Sequence, residues 1–218
     1  MLIAIAGCDG AGKSTLVRSL AAELALHGRD VEIVDKWDIF RAADYPECEF
    51  LNRDREQLTR CVSAMDGIAR ALFIFWMISL TLKRIGEAPS GKTYLLDGYW
   101  MKHAAAEILL GCPAEVVLAT VNALPRADLT FLLDVSPETA SGRKPSRSRY
   151  ECGRQDGHSR AAFSSHQSRV RAVLSDWADE KGWIRIDSEL PRDAVLRQVL
   201  GRIVGATHRG RSGEALAA

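Results

Sequence analysis

"GCDGAGKST", residues 7–15, directly follows the apolar run Leu2-Ile3-Ala4-Ile5-Ala6 and opens the stretch "KSTLVRSLAAELALHG" of residues 13–28. Gly7, Gly12, Lys13 and Ser14 fill the spacing G-x-x-x-x-G-K-[ST] of a phosphate-cradling loop. Glycines allow positive φ and close backbone approach, so Gly7, Gly10, Ala11 and Gly12 can turn their N–H groups inward on phosphate oxygens. The following helix adds its N-terminal dipole, Lys13 reaches the β and γ phosphates, Ser14 supplies a hydroxyl for Mg²⁺, and Thr15 stands beside it. A glycine-rich turn without a ligand fits the same letters. The context favours the phosphate reading: a strand-like run comes before it, and Leu16, Val17, Leu20, Leu24 and Leu26 keep a helical period up to Gly28.

Outward from that loop, apolar strand-like runs alternate with helical patterns. Strands are expected at 2–6, 31–35, 93–97, 129–135 and 183–187. Helices are expected at 13–27, 55–85, 102–110, 114–122, 137–142, 161–181 and 192–204. Alternation of this kind predicts an α/β fold with a mainly parallel five-stranded sheet flanked by helices, a single domain over residues 1–205. Two stretches break the pattern. "SGRKPSRSRYECGRQDGHSR" (141–160) is basic and poor in apolar residues, too long for a plain connection, and reads as a solvated loop or as a lid closing over an anionic substrate. "ATHRGRSGEALAA" (206–218) is small and polar and reads as a flexible tail.

The chain of 218 residues is 47% hydrophobic and 26% charged, enough for one sizeable core. Lysine plus arginine number 29 against 28 acidic residues, a formal net charge of +1 that gives no global field for nucleic acid or membrane surfaces. Cys8, Cys48, Cys61, Cys112 and Cys152 show no C-x-x-C pair, so they read as reduced thiols and not as a zinc site or disulfide framework. The apolar segment "ALFIFWMISL" (71–80) is too short to span a bilayer. With a core strand at residue 2 a leader segment is not expected, and a cytoplasmic location is.

Phosphoryl transfer needs a positioned nucleotide, Mg²⁺ on the phosphates and positive charge where the transferring group develops its own. Asp97 closes the strand "TYLLDG" and either meets Mg²⁺ or its waters, or simply ends the strand in an Asp-Gly turn. Asp134, at the end of "LTFLLDV", serves local hydrogen bonding at the following helix start equally well. Arg143, Arg147 and Arg149 are lid arginines, or the charges of a solvated loop. His103 follows the Asp97 strand closely enough to line a cleft, and Trp37 and Tyr99 are candidate walls for a flat base.

In the order of these features the chain resembles the thymidylate kinase family of P-loop nucleoside monophosphate kinases. "GCDGAGKST" is similar to that family's loop, "FLLDVSPETASGRK" (131–144) to its strand, helix and start of lid, and "RSRYE" (147–151) to the close of its lid. "FSSHQSRVRAVLSDWA" (163–178) is similar to the helix after the lid, and "WIRIDSELPRDAVLRQVL" (183–200) to the last strand and helix. The resemblance implies ATP and Mg²⁺ as cofactors, a role in nucleotide biosynthesis and a homodimer packed through helices. It also implies that Asp9 touches the acceptor sugar and that Arg143 and Arg149 come from the lid. The acceptor side departs from the family: Lys36 stands where an arginine is expected, Met77 where another is, with Arg70 two turns earlier as a substitute. "DGY" (97–99) replaces Asp-Arg-Tyr, and Lys102 replaces a serine. The expected activity is ATP-dependent transfer to a nucleotide, thymidine monophosphate first. The same fold acting on a nucleoside or other small molecule is the alternative, and a catalytically silent nucleotide binder the third reading.

Overall fold

A computed structural model describes residues 1–40, 45, 48, 51, 55–86, 91–155 and 158–214. Five strands, β1 (Leu2–Ala6), β2 (Val31–Val34), β3 (Thr93–Asp97), β4 (Leu129–Asp134) and β5 (Ile184–Asp187), form one sheet in the order β2-β3-β1-β4-β5. Every pairing is parallel, with Ile3 opposite both Leu95 and Leu129. A parallel central strand is covered on both faces, so it carries an unbroken apolar run instead of an alternating one. Leu2–Ala6 is buried throughout for this reason. Ile3, Ile5, Leu95, Phe131 and Leu133 are almost fully withdrawn from water, each worth about 1.5–3 kcal/mol relative to exposure.

The helices are α1 (Lys13–Leu26), α2 (Arg55–Ala64), α3 (Gly67–Gly86), α4 (Trp100–Leu109), α5 (Ala114–Asn122), α6 (Pro137–Gly142), α7 (Arg160–Lys181) and α8 (Arg192–Glu214), with a 3-10 turn at Lys36–Phe40. The single helix expected over 55–85 is broken at Met65-Asp66, because Gly67 takes φ of +54, a conformation no helix interior holds. The Asp-Gly pair there is the breaker signal. α8 runs past its expected end at 204 to Glu214, into the stretch read as a tail. α1 buries Leu16, Val17, Leu20 and Leu24 against the sheet, and Ser136 caps α6, its hydroxyl accepting from the Thr139 N–H.

In this strand order β1 is flanked by β3 and β4, and the segments leaving β1, β2, β3 and β5 emerge together at the carboxyl edge of the sheet. That edge is where open α/β sheets receive ligands.

Candidate phosphate-binding and acceptor site

One cavity of about 560 Å³ lies at that edge. The loop after β1 forms its floor: Asp9 through Thr15 all border it. Gly10, at φ +85, packs so closely on α6 that a Cβ there would stand 2.4 Å from the Ala140 carbonyl oxygen. Gly12, at φ +93, has nothing within 4 Å of its Cβ position, which leaves backbone open to an incoming group. The loop is tied from two directions. The Ser188 hydroxyl, just past β5, donates to the Ala11 carbonyl at 2.7 Å, and the Asp9 N–H donates to Gln167 Oε1 of α7 at 2.9 Å. Gln167 in turn donates to the Glu151 carbonyl at 2.8 Å, joining the loop to the 141–160 segment.

Lys13 arches over the loop and donates to the Gly7 and Cys8 carbonyls at 3.0 and 2.7 Å. Burial pulls its ammonium below the usual lysine range, against the opposing charge of Asp9. Ser14 and Asp97 border the same cavity, and the Cβ position of Gly98 is 4.0 Å from the Lys13 side chain. Arg143 also lines it and donates to the Ser188 carbonyl at 2.8 Å.

Lys36, Trp37, Lys102 and His103 form the facing wall. Lys102 Nζ donates to Asp9 Oδ1 at 2.8 Å, an ion pair that is largely out of solvent. Burial pushes the Asp9 carboxyl up, but Lys102 and Lys13 together outweigh it and hold it well below the ordinary carboxylate range. Burial likewise pulls Lys102 down, and Asp9 more than compensates, leaving it raised. Lys36 has weaker support, Asp35 at 4.0 Å, and burial lowers it to about 8. Its ammonium sits 5.3 Å from the Trp37 ring centre.

Other candidates lie outside the cavity lining. Arg70 is buried in an ion pair with Glu107, donates to the Val62 carbonyl at 3.1 Å and stacks 3.5 Å over the ring of Tyr150. Tyr99 is buried, and its hydroxyl donates to the Pro125 carbonyl at 2.7 Å. Arg147 bonds the Ser141 carbonyl and hydroxyl, and Arg149 bonds the Arg154 carbonyl at 3.3 Å. Gly7 is set back beneath the loop, beside Leu133. Asp134 is forked by Arg171 of α7, 37 positions on, while the Ser136 N–H at the following helix start donates to Glu189. Among the described residues, no three His, Cys, Asp or Glu side chains meet as a metal-binding group.

The structure adds residues that sequence reasoning did not single out. Ser188 and Leu190 follow β5, and Arg192, Val195 and Leu196 lie in the first turns of α8; all border the cavity, the leucines and valine as an apolar wall. The available signal was position: the end of a strand two places from β1 in a parallel sheet feeds the same edge.

No family model matches the chain. Over 219 residues it is 29% identical to the thymidylate kinase of Xanthomonas campestris pv. campestris (strain B100), an alignment covering 94% of this chain and 84% of that protein. It is 28% identical over 228 residues to the thymidylate kinase of Xanthomonas euvesicatoria pv. vesicatoria (strain 85-10), covering 99% and 88%. It is 26% identical over 211 residues to the probable thymidylate kinase of Archaeoglobus fulgidus, covering 91% and 92%.

Proposed function

We propose, from the premise that this chain belongs to the thymidylate kinase family of phosphotransferases, that it transfers the γ-phosphoryl group of ATP to a nucleoside monophosphate. Thymidine monophosphate is the first acceptor, giving ADP and thymidine diphosphate. The observation that carries this reading is the convergence of Lys13, Ser14 and Asp97 with Lys36 and Lys102 on one cavity.

In this reading the loop N–H groups and Lys13 hold the donor phosphates, while the apolar wall of Leu190, Val195 and Leu196 suits a flat base. Ser14 and Asp97 offer a hydroxyl and a carboxylate, the hard oxygen donors that Mg²⁺ takes alongside phosphate oxygens, so this donor set fits the ion. When bound, Mg²⁺ neutralises charge on the β and γ phosphates. Lys36 and Lys102 take the acceptor phosphate as point charges, in place of the arginine forks expected at position 98 and on the helix at 77. Arg143 brings a guanidinium to the same space, and the 141–160 segment acts as the lid that carries it, with Arg147 and Arg149 engaged on closure. Asp9, paired to Lys102, meets the acceptor sugar.

The same reading carries a cytoplasmic location and a homodimer packed through helices. Ile68 and Leu72, exposed on α3, offer it an apolar face. No described helix is long and apolar enough to cross a membrane.

A second reading keeps the donor side and changes the acceptor to an unphosphorylated nucleoside or another small molecule. Gly98 and the sequestration of Arg70 by Glu107 favour it, since both take guanidinium groups away from an acceptor phosphate. ADP release with ATP and Mg²⁺ against thymidine monophosphate, other monophosphates and free nucleosides separates the two. Turnover highest with thymidine monophosphate is the expected result. Turnover confined to an unphosphorylated compound replaces the first reading by the second, and tight ATP binding with no transfer to any acceptor overturns both.

A further inference from the structure

His103 sits on α4 next to Lys102, buried to 4% exposure, and borders the cavity. Neither of its ring nitrogens has a hydrogen-bond partner among the described residues. A buried imidazole with both nitrogens idle is costly to keep, and its neighbours on this wall show the contrast: Lys102 has Asp9 and Lys36 has Asp35. Such a group earns its place when a ligand supplies the missing partner.

The charges around it define that partner. Burial, then Lys36, Lys102, Arg70 and Lys13 in turn, hold the ring well below the ordinary histidine range. It is therefore a neutral imidazole with one donor and one acceptor, unlike the lysines beside it. A phosphate gains more from Lys36 and Lys102. What His103 suits is an uncharged donor or acceptor further along the same molecule.

We propose that His103 is a specificity-determining residue of the acceptor side, pairing its imidazole with an uncharged hydrogen-bonding group on the acceptor, a base edge or a sugar hydroxyl. This rests on the reading of the cavity as a nucleotide kinase site. A site built to pair such a group discriminates strongly against analogues that lack it, because the buried partner is then left unpaired.

The test uses the full chain labelled with ¹⁵N-histidine, the signals of His103 identified by their loss in His103→Asn. The probes are thymidine monophosphate, thymidine, 3′-deoxythymidine monophosphate and deoxyribose 5-phosphate. Thymidine monophosphate is expected to move the His103 ring signals. Loss of that response with deoxyribose 5-phosphate assigns the base edge, and loss with the 3′-deoxy compound assigns the hydroxyl. In kinetics, His103→Ala is expected to lower kcat/KM for thymidine monophosphate about 10- to 100-fold with KM for ATP unchanged, and His103→Asn to restore part of the loss. The truncated acceptor that lacks the paired group is expected to lose nothing in His103→Ala. Ring signals unmoved by all four probes, or an equal kinetic loss for every acceptor including the truncated ones, overturns the inference. If no monophosphate is turned over, the nucleotide kinase reading fails by itself, and the ring signals with thymidine and deoxyribose 5-phosphate still decide the role of His103.

Discussion

On the floor of the cavity, the phosphate loop is locked by its own backbone: Gly10 against Ala140, Ala11 held by Ser188, Asp9 by Gln167, and Lys13 folded onto the Gly7 and Cys8 carbonyls. On the facing wall, Lys36, Lys102 and His103 border the same space, and Arg70, the one arginine buried among the described residues, is turned to Glu107 and Tyr150. Main-chain donors at fixed positions recognise any phosphate and leave few choices of sequence. Side-chain recognition depends on which residues stand on the wall, so in the proposed reading the wall is where the acceptor is chosen and where a chain can depart from its relatives.

The sharpest way to break this contrast is Lys13→Ala. If the loop side carries phosphoryl transfer, kcat falls about 10²–10³-fold or more while the affinity for the acceptor is unchanged. Near-normal turnover would mean that the loop only shapes the fold. ADP release and equilibrium acceptor binding, measured on the same preparation, give the two numbers.

Arg70→Met tests the other side, and here the expected effect is on stability. Removing one member of the buried Arg70–Glu107 pair leaves a carboxylate without its partner, a loss of about 3–5 kcal/mol in denaturant unfolding. Arg70→Met/Glu107→Met is expected to recover much of it, since replacing both charges by apolar groups removes the unpaired ion. A single variant of unchanged stability but tenfold higher acceptor KM would move Arg70 from the framework to the acceptor wall.

Smaller and more specific is the pH dependence set by Lys36. Its folded value of about 8 lies below the ordinary lysine value of 10.5, so it is cationic below pH 8 and neutral above. If it holds the acceptor phosphate, kcat/KM for the acceptor falls about tenfold per unit above pH 8, and that for ATP does not. Lys36→Arg, which stays charged, is expected to abolish the decline. The stability linkage has the opposite sign. A lysine depressed by burial costs stability below its folded value, and that cost is relieved as pH rises from 8 toward 10.5, so this group gives no fall in Tm to explain lost activity. A parallel decline of Tm and kcat/KM would discard Lys36 as the cause.

Much of the floor was legible before the fold was known. The strand at 2–6, the glycines at fixed offsets and the helix from Lys13 are local features, and local features survive in a linear string. The five strands were visible too, because a parallel sheet buried on both faces writes short apolar runs with helical periods between them. The break at Gly67 was present as an Asp-Gly pair but hidden within a long apolar period. Arg70 illustrates the limit: the family resemblance made it the substitute for an acceptor arginine expected at Met77, while its partner Glu107 lies 37 positions on and Tyr150 further still. Nothing in the spacing of these residues says that they meet.

By itself, then, the sequence determined a parallel α/β sheet and a phosphate-binding loop at the end of its first strand, because both are written in short-range periodicity and in the backbone freedom of particular glycines. The tertiary structure decided which charges share a space. Lys102 was brought to Asp9, Arg70 was withdrawn to Glu107, and Val195 and Leu196 of α8 were set on the same cavity as the loop. Pairing among buried charges depends on distances between residues far apart in the chain, and only the packed layers set those distances.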